Sequence, residues 1–95
     1  MAYFLLICRD RPGSLALRMS VRAAHLDWVK DKMDLIRAAG PMLDDAGDMT
    51  GSTFLMQASD KAAVEAFSAD DPYRKAGLFE SVEICGWRQT VGAPL

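Results

Sequence analysis

The sequence predicts an α+β domain of the ferredoxin-like kind. Its elements run β-α-β-β-α-β, giving a four-stranded antiparallel sheet with two helices on one face. Three observations lead there. Short apolar runs with strand character recur near residues 3–8, 52–58 and 81–87. Between them lie segments whose apolar residues are spaced by three and four. A chain of 95 residues is one domain, with material for one core and little else. Two helices cover one sheet face only. The other face would carry apolar side chains with nothing over them, so a second copy packed sheet to sheet is expected, making a homodimer.

The first strand is Tyr-Phe-Leu-Leu-Ile-Cys at 3–8, apolar on both faces, closed by Arg11-Pro12-Gly13-Ser14. Ser14 and then Ser20 are candidate N-caps for the helix that follows. Leu26, Val29, Met33 and Ile36 form its core stripe, and Lys30-Asp31-Lys32 falls largely on the wet face. The helix is placed to end near Met33. Gly40-Pro41 could serve as a later helix stop, and Leu35–Leu43 could equally be a strand. Residues 44–51 form a turn, and Ser52–Ala58 a strand. Ser59 or Asp60 caps the second helix, which buries Ala63, Val64 and Phe67. Asp71-Pro72 starts a further short helical turn that Gly77 ends. Ser81–Trp87 is the last strand, and Val91–Leu95 a frayed tail.

Composition excludes several classes. Hydrophobic residues make up 51% and charged residues 25%, so the chain is globular rather than disordered. Eleven Lys and Arg against thirteen Asp and Glu leave a net charge of −2, without the basic footprint of a nucleic-acid binder. No apolar run is long enough to cross a bilayer, and residues 1–8 lack the pattern of a signal peptide. A soluble, cytoplasmic protein is expected. Cys8 and Cys85 lie far apart and are expected as buried, reduced thiols. With one histidine and no CxxC spacing, a metal site or other cofactor in one chain is not expected.

Few residues carry chemistry. His25 is the only histidine, and imidazole exchanges protons near neutral pH, as a general acid or base must. Arg22, three residues earlier, shares its helix face and could anchor an anion. Asp71 caps the short helix; it could also orient the imidazole, although spacing alone does not bring the two together. Ser52 could donate to a ligand or satisfy the hairpin backbone. Asp44, Asp45 and Asp48 lack the EF-hand pattern and make a solvated turn. Trp28, Tyr73, Phe79 and Trp87 fit a core or dimer interface better than stacking platforms.

The run Ser20-Val-Arg-Ala-Ala-His25-Leu, then Ala39-Gly40-Pro41-Met42, Gly51-Ser52-Thr, Ala69-Asp70-Asp71-Pro72-Tyr73 and Ala76-Gly77-Leu78-Phe79 resembles the YciI-like (YCII-related) family over about residues 2–90. The resemblance implies a small ferredoxin-like domain, dimeric through its sheets, with a His–Asp pair in a pocket near the dimer interface. His25 and Asp71 match that pair. Arg22, Gly40, Pro41 and Ser52 match other recurrent positions that would line the pocket. Between His25 and Gly40 this chain is shorter than some relatives, and the resemblance favours a strand over Leu35–Leu43. Part of the family is credited with lyase-like elimination on small hydroxylated aromatic compounds. The expectation is therefore a small metal-free enzyme for a small polar or aromatic acid. His25 would be the acid/base, Asp71 its orienter, and Arg22 and Ser52, with backbone near Gly40, the anion holders. The alternative is a dimeric domain that binds a small molecule or a partner without chemistry.

Overall fold

The computed structural model describes residues 1–95. Strand β1 spans Ala2–Asp10, helix α1 Leu15–Lys30, β2 Ile36–Leu43, β3 Met49–Ala58, helix α2 Lys61–Ala69, the short helix α3 Pro72–Lys75, and β4 Phe79–Trp87. A single 3₁₀ turn, Met33–Leu35, joins α1 to β2. The sheet order is β2-β3-β1-β4 and every pairing is antiparallel, as the ferredoxin-like reading requires. Of Leu35–Leu43, all but Leu35 is thus strand; Leu35 closes the 3₁₀ turn, and α1 itself ends at Lys30 rather than near Met33. β3 starts three residues earlier than the sequence suggested, and β4 two.

Side chains alternate across the sheet because successive Cβ atoms point to opposite faces. Leu6, Cys8, Phe54, Met56 and Ala58 are buried on the inner face. Both helices pack there: Phe54 lies near the His25 ring of α1 at 6.2 Å and the Phe67 ring of α2 at 5.4 Å, centroid to centroid. Tyr3, Leu5, Ile7, Leu55 and Cys85 point the other way and remain only half-buried, since no element covers that face. Cys8 pairs with Val82 across the strands and Cys85 with Leu5. The two thiols therefore sit on opposite faces and both are free, Cys85 half-buried rather than buried.

The caps are local chemistry. Asp60 accepts from the Ala63 N–H to start α2, and Gly77, at φ +75°, follows α3 where only glycine is unstrained. Ser14 precedes α1 without a side-chain cap bond, and Ser20 lies inside the helix, bonded to the Leu17 carbonyl. Asp44 accepts from the Ala46 and Asp48 N–H groups, the self-contained turn expected of that acidic loop.

The α1 stripe differs from expectation. Of the four expected positions Val29 packs against the core and Ile36 is buried, but Leu26 and Met33 are exposed, and the buried residues of α1 are Arg18 and His25. Leucine spacing misleads here because the helix turns a polar row inward. No helix is long and apolar enough to cross a membrane.

Candidate functional site

Seven residues apart on α1, Arg18 and His25 lie on one face and point to the sheet. Opposite them stand Ser52 and Phe54 of β3. Gly51 lets Ser52 come this close: a Cβ there would collide with the Cys8 carbonyl and Met42 Cε. α3 delivers the remaining pieces, because the Asp71-Pro72 start fixes both the carboxylate and the Tyr73 ring beside α1.

His25 Nδ1 lies 2.9 Å from Asp71 Oδ1, across 46 positions of sequence. The same oxygen accepts from the Tyr73 N–H at 2.9 Å, so capping and the imidazole contact coexist. An ionised carboxylate only accepts, hence Nδ1 carries the proton in the neutral imidazole and Nε2 keeps its lone pair. No protein group bonds Nε2, and no unpartnered polar side-chain atom is sealed from solvent. His25 lines a cavity of about 160 Å³ between α1 and the β2–β3 ribbon, into which Nε2 can open.

Arg18 is 2% exposed yet charged. Its Nε and Nη2 donate to the two oxygens of Asp10 at 2.7 and 2.9 Å, and Nη2 donates also to Ser52 Oγ at 2.9 Å. Burial pulls the guanidinium pKa down, but the Asp10 bonds and charge outweigh it and the net shift is upward. The Tyr73 ring stacks on His25, 4.1 Å between centroids and 19° between planes, and the Arg18 guanidinium carbon lies 4.4 Å from its centre. Burial raises the Tyr73 phenol against the opposing pull of Arg18, so it stays protonated. Burial, with Asp71 next in effect, pushes the Cys8 thiol up to about 12, which leaves it un-ionised and a poor nucleophile.

Each residue singled out from the sequence can now be placed. His25 and Asp71 meet. Arg22, Gly40, Pro41 and Ser52 line the same cavity. Ser52 does not serve the hairpin; it is buried and holds Arg18. Tyr73 and Phe79 are core residues, but Tyr73 is also a stacking platform for His25. Arg18 and Asp10 were missed. The available signal was Arg18 at the spacing of two helical turns before His25. No three His, Cys, Asp or Glu side chains converge on a common point.

A split-βαβ domain with an arginine-lined hollow against its first helix is the class this geometry defines. Within it, the chain belongs to the YCII-related domain family, whose model matches residues 2–88. The curated protein YciI of Escherichia coli O6:H1 is 34% identical over 90 residues, covering 85% of this chain and 91% of that one. A solved structure of 5-chloro-2-hydroxyhydroquinone dehydrochlorinase (TftG) from Burkholderia phenoliruptrix AC1100, in complex with 2,5-dihydroxybenzoquinone, superposes with a TM-score of 0.85 at 38% identity. It covers 93% of this chain and 95% of that one. A NIPSNAP family protein from Agrobacterium tumefaciens, 16% identical with a TM-score of 0.59 over 98% of this chain and 96% of that one, shares the fold alone.

Proposed function

We propose that the protein is a small enzyme that performs lyase-like elimination on a ring-sized, hydroxylated acid, with His25 as general base and acid. The observation that carries this reading is the 2.9 Å His25–Asp71 contact beside the cavity. Asp71 holds the tautomer that leaves Nε2 free and stabilises the imidazolium once it forms. Nε2 takes a proton from the substrate; the released electron pair forms a new π bond; the leaving group departs with the pair of the bond it breaks. Arg22 and Ser52 hold the anionic part, and Gly40 and Pro41 form the wall facing α1. A cavity of about 160 Å³ matches one six-membered ring, since ~150 Å³ suffices for benzene. That size agrees with the substrate and ligand named for TftG.

Cytoplasmic pairing through the uncovered sheet face belongs to the same proposal. Tyr3, Leu5, Ile7 and Leu55 offer a self-complementary apolar surface, and burying it in a dimer would remove it from water. Sedimentation at micromolar concentration tests this, with a dimer expected.

The chemistry is tested with 5-chloro-2-hydroxyhydroquinone as the first probe and chloride release as the readout. His25→Ala is expected to lower release by about 10²–10⁴-fold, the usual contribution of a positioned acid/base, while folding and pairing persist. Full activity in that variant overturns the mechanism. Ring binding without turnover in the wild-type protein supports the non-catalytic binding domain instead.

A further inference from the structure

We infer that Asp70 and Trp28 are positioning residues for the His25–Asp71 pair. Their hydrogen bond lies beside that pair, sets the angle at which α3 meets α1, and so decides how firmly His25 keeps its proton on Nδ1. The catalytic consequence rests on the acid/base reading above, whereas the bond geometry does not. Asp70 closes α2 as its C-cap and directly precedes Asp71, the N-cap of α3. Its carboxylate is shared between two elements. Oδ2 accepts from Trp28 Nε1 of α1 at 3.3 Å, and Oδ1 from Lys75 Nζ of α3 at 2.9 Å. Lys75, and next Trp28, hold the Asp70 carboxyl below its ordinary value, so it stays ionised and accepts from both. Trp28 follows His25 by three residues and lies on the same side of α1. Two adjacent carboxylates of the α2–α3 junction thus meet two neighbouring rings of α1, Asp71 on His25 and Asp70 on Trp28.

The second bond does what the first cannot. α3 is four residues long, too short to be stable alone, so its place is set by what it is tied to. Arg74 Nη1 ties it to α2 through Ser68 Oγ at 3.0 Å, and the two carboxylate bonds tie residues 70–75 to α1. The Tyr73 ring stacked on His25 fixes the separation of α3 from α1, but not the direction of the Asp71 carboxylate. One hydrogen bond leaves the junction free to pivot; two fix its angle. The Trp28 ring is itself anchored, 4.6 Å from Phe67 and 5.8 Å from His25 between centroids. Angle matters because Asp71 Oδ1 serves the Tyr73 N–H as well as His25. Tyr73 moves with Asp71, so a pivot spares that bond and bends the one to Nδ1, and a bent hydrogen bond weakens steeply. The Asp70 and Lys75 side chains are both more than half exposed, so the link adds little stability and acts through geometry.

The experiment measures the ratio of Nδ1–H to Nε2–H tautomers of His25 by nitrogen-15 NMR, with urea unfolding alongside and no substrate present. Trp28→Phe keeps an aromatic ring against Phe67 and loses the N–H donor. It is expected to lower the ratio at least about threefold, as the partial loss of one hydrogen bond implies, while the unfolding midpoint stays near the wild-type value. Asp70→Ala, which loses both bonds, lowers the ratio at least as far. Asp70→Asn keeps an acceptor for Trp28 and is expected to hold the ratio within about twofold of wild type, a rescue that a merely structural role would not give. If Asp70→Ala does not fold, Trp28→Phe is the reference for that rescue. A ratio unchanged in Trp28→Phe, or as low in Asp70→Asn as in the reference variant, overturns the inference. A wild-type ring protonated on Nε2 overturns both this inference and the acid/base reading. A wild-type Nδ1–H ring indifferent to Trp28→Phe removes the positioning role alone.

Discussion

Helices α1 and α2 lie on the same face of one sheet, yet they bury opposite chemistry. α2 turns Val64 and Phe67 inward, 0% and 5% exposed, against Phe54. α1 turns Arg18 and His25 inward and leaves Leu15, Leu17, Met19 and Leu26 at the surface. The α2 side is held by burial of apolar area, about 1.5–3 kcal/mol for each large side chain. The α1 side is held by specific pairs: Arg18 with Asp10, His25 with Asp71, and the His25 ring stacked on Tyr73. Such pairs contribute little net stability once desolvation is counted, but they hold polar groups in fixed geometry inside the fold. One half of the inner face makes the scaffold and the other half makes the site.

This contrast can be broken most forcefully on the scaffold side. Phe67→Ala is expected to cost about 3–5 kcal/mol in urea unfolding, because it empties a packed position between Phe54 and Trp28. A loss below about 1 kcal/mol would mean that α2 is not the structural half. Next comes Gly51→Ala, which sets a methyl group against the Cys8 carbonyl and Met42. Overpacking of this kind costs about 1–3 kcal/mol, and it should also shift Ser52 and weaken ring binding.

The division was only partly legible in the sequence. α2 could be read because Ala63, Val64 and Phe67 repeat at helical spacing behind the Asp60 cap, and local propensity and burial agree there. α1 could be read only in part: of its expected stripe Val29 packs on the core and Ile36 is buried at the start of β2, while Leu26 and Met33 obey the same spacing and face outward. Periodicity tells which residues share a face, but not which face the sheet receives. The Arg18–Asp10 pair was hidden for another reason: β1 and α1 approach through a turn whose direction no residue pattern specifies. His25 and Asp71 were candidates by residue type and by family resemblance. Their contact depends on the docking of α3 beside α1, a tertiary fact.

A smaller effect follows from Cys8, where the two halves meet. Its thiol is raised from 9.0 to about 12, chiefly by burial. The folded state therefore holds this proton more tightly than the unfolded chain. Its contribution is complete below about pH 9 and is lost as pH climbs toward 12, by up to about 1.4 kcal/mol per pH unit. Unfolding measured from pH 8 to 11 should show this decline, and Cys8→Ala should flatten it. Last, Leu17→Ser on the outer side of α1 should change stability by no more than about 0.5 kcal/mol, since Leu17 is 38% exposed. A larger loss would place α1 among the scaffold elements and blur the contrast.

The whole account turns on which imidazole nitrogen of His25 carries the proton at the cavity. Nitrogen-15 NMR of the neutral ring measures this directly, in the wild-type protein and in Asp71→Asn. The account predicts a proton on Nδ1 in the wild type and a shift of the tautomer balance toward Nε2–H when the carboxylate is replaced. A wild-type ring already protonated on Nε2, or one indifferent to Asp71→Asn, would contradict it.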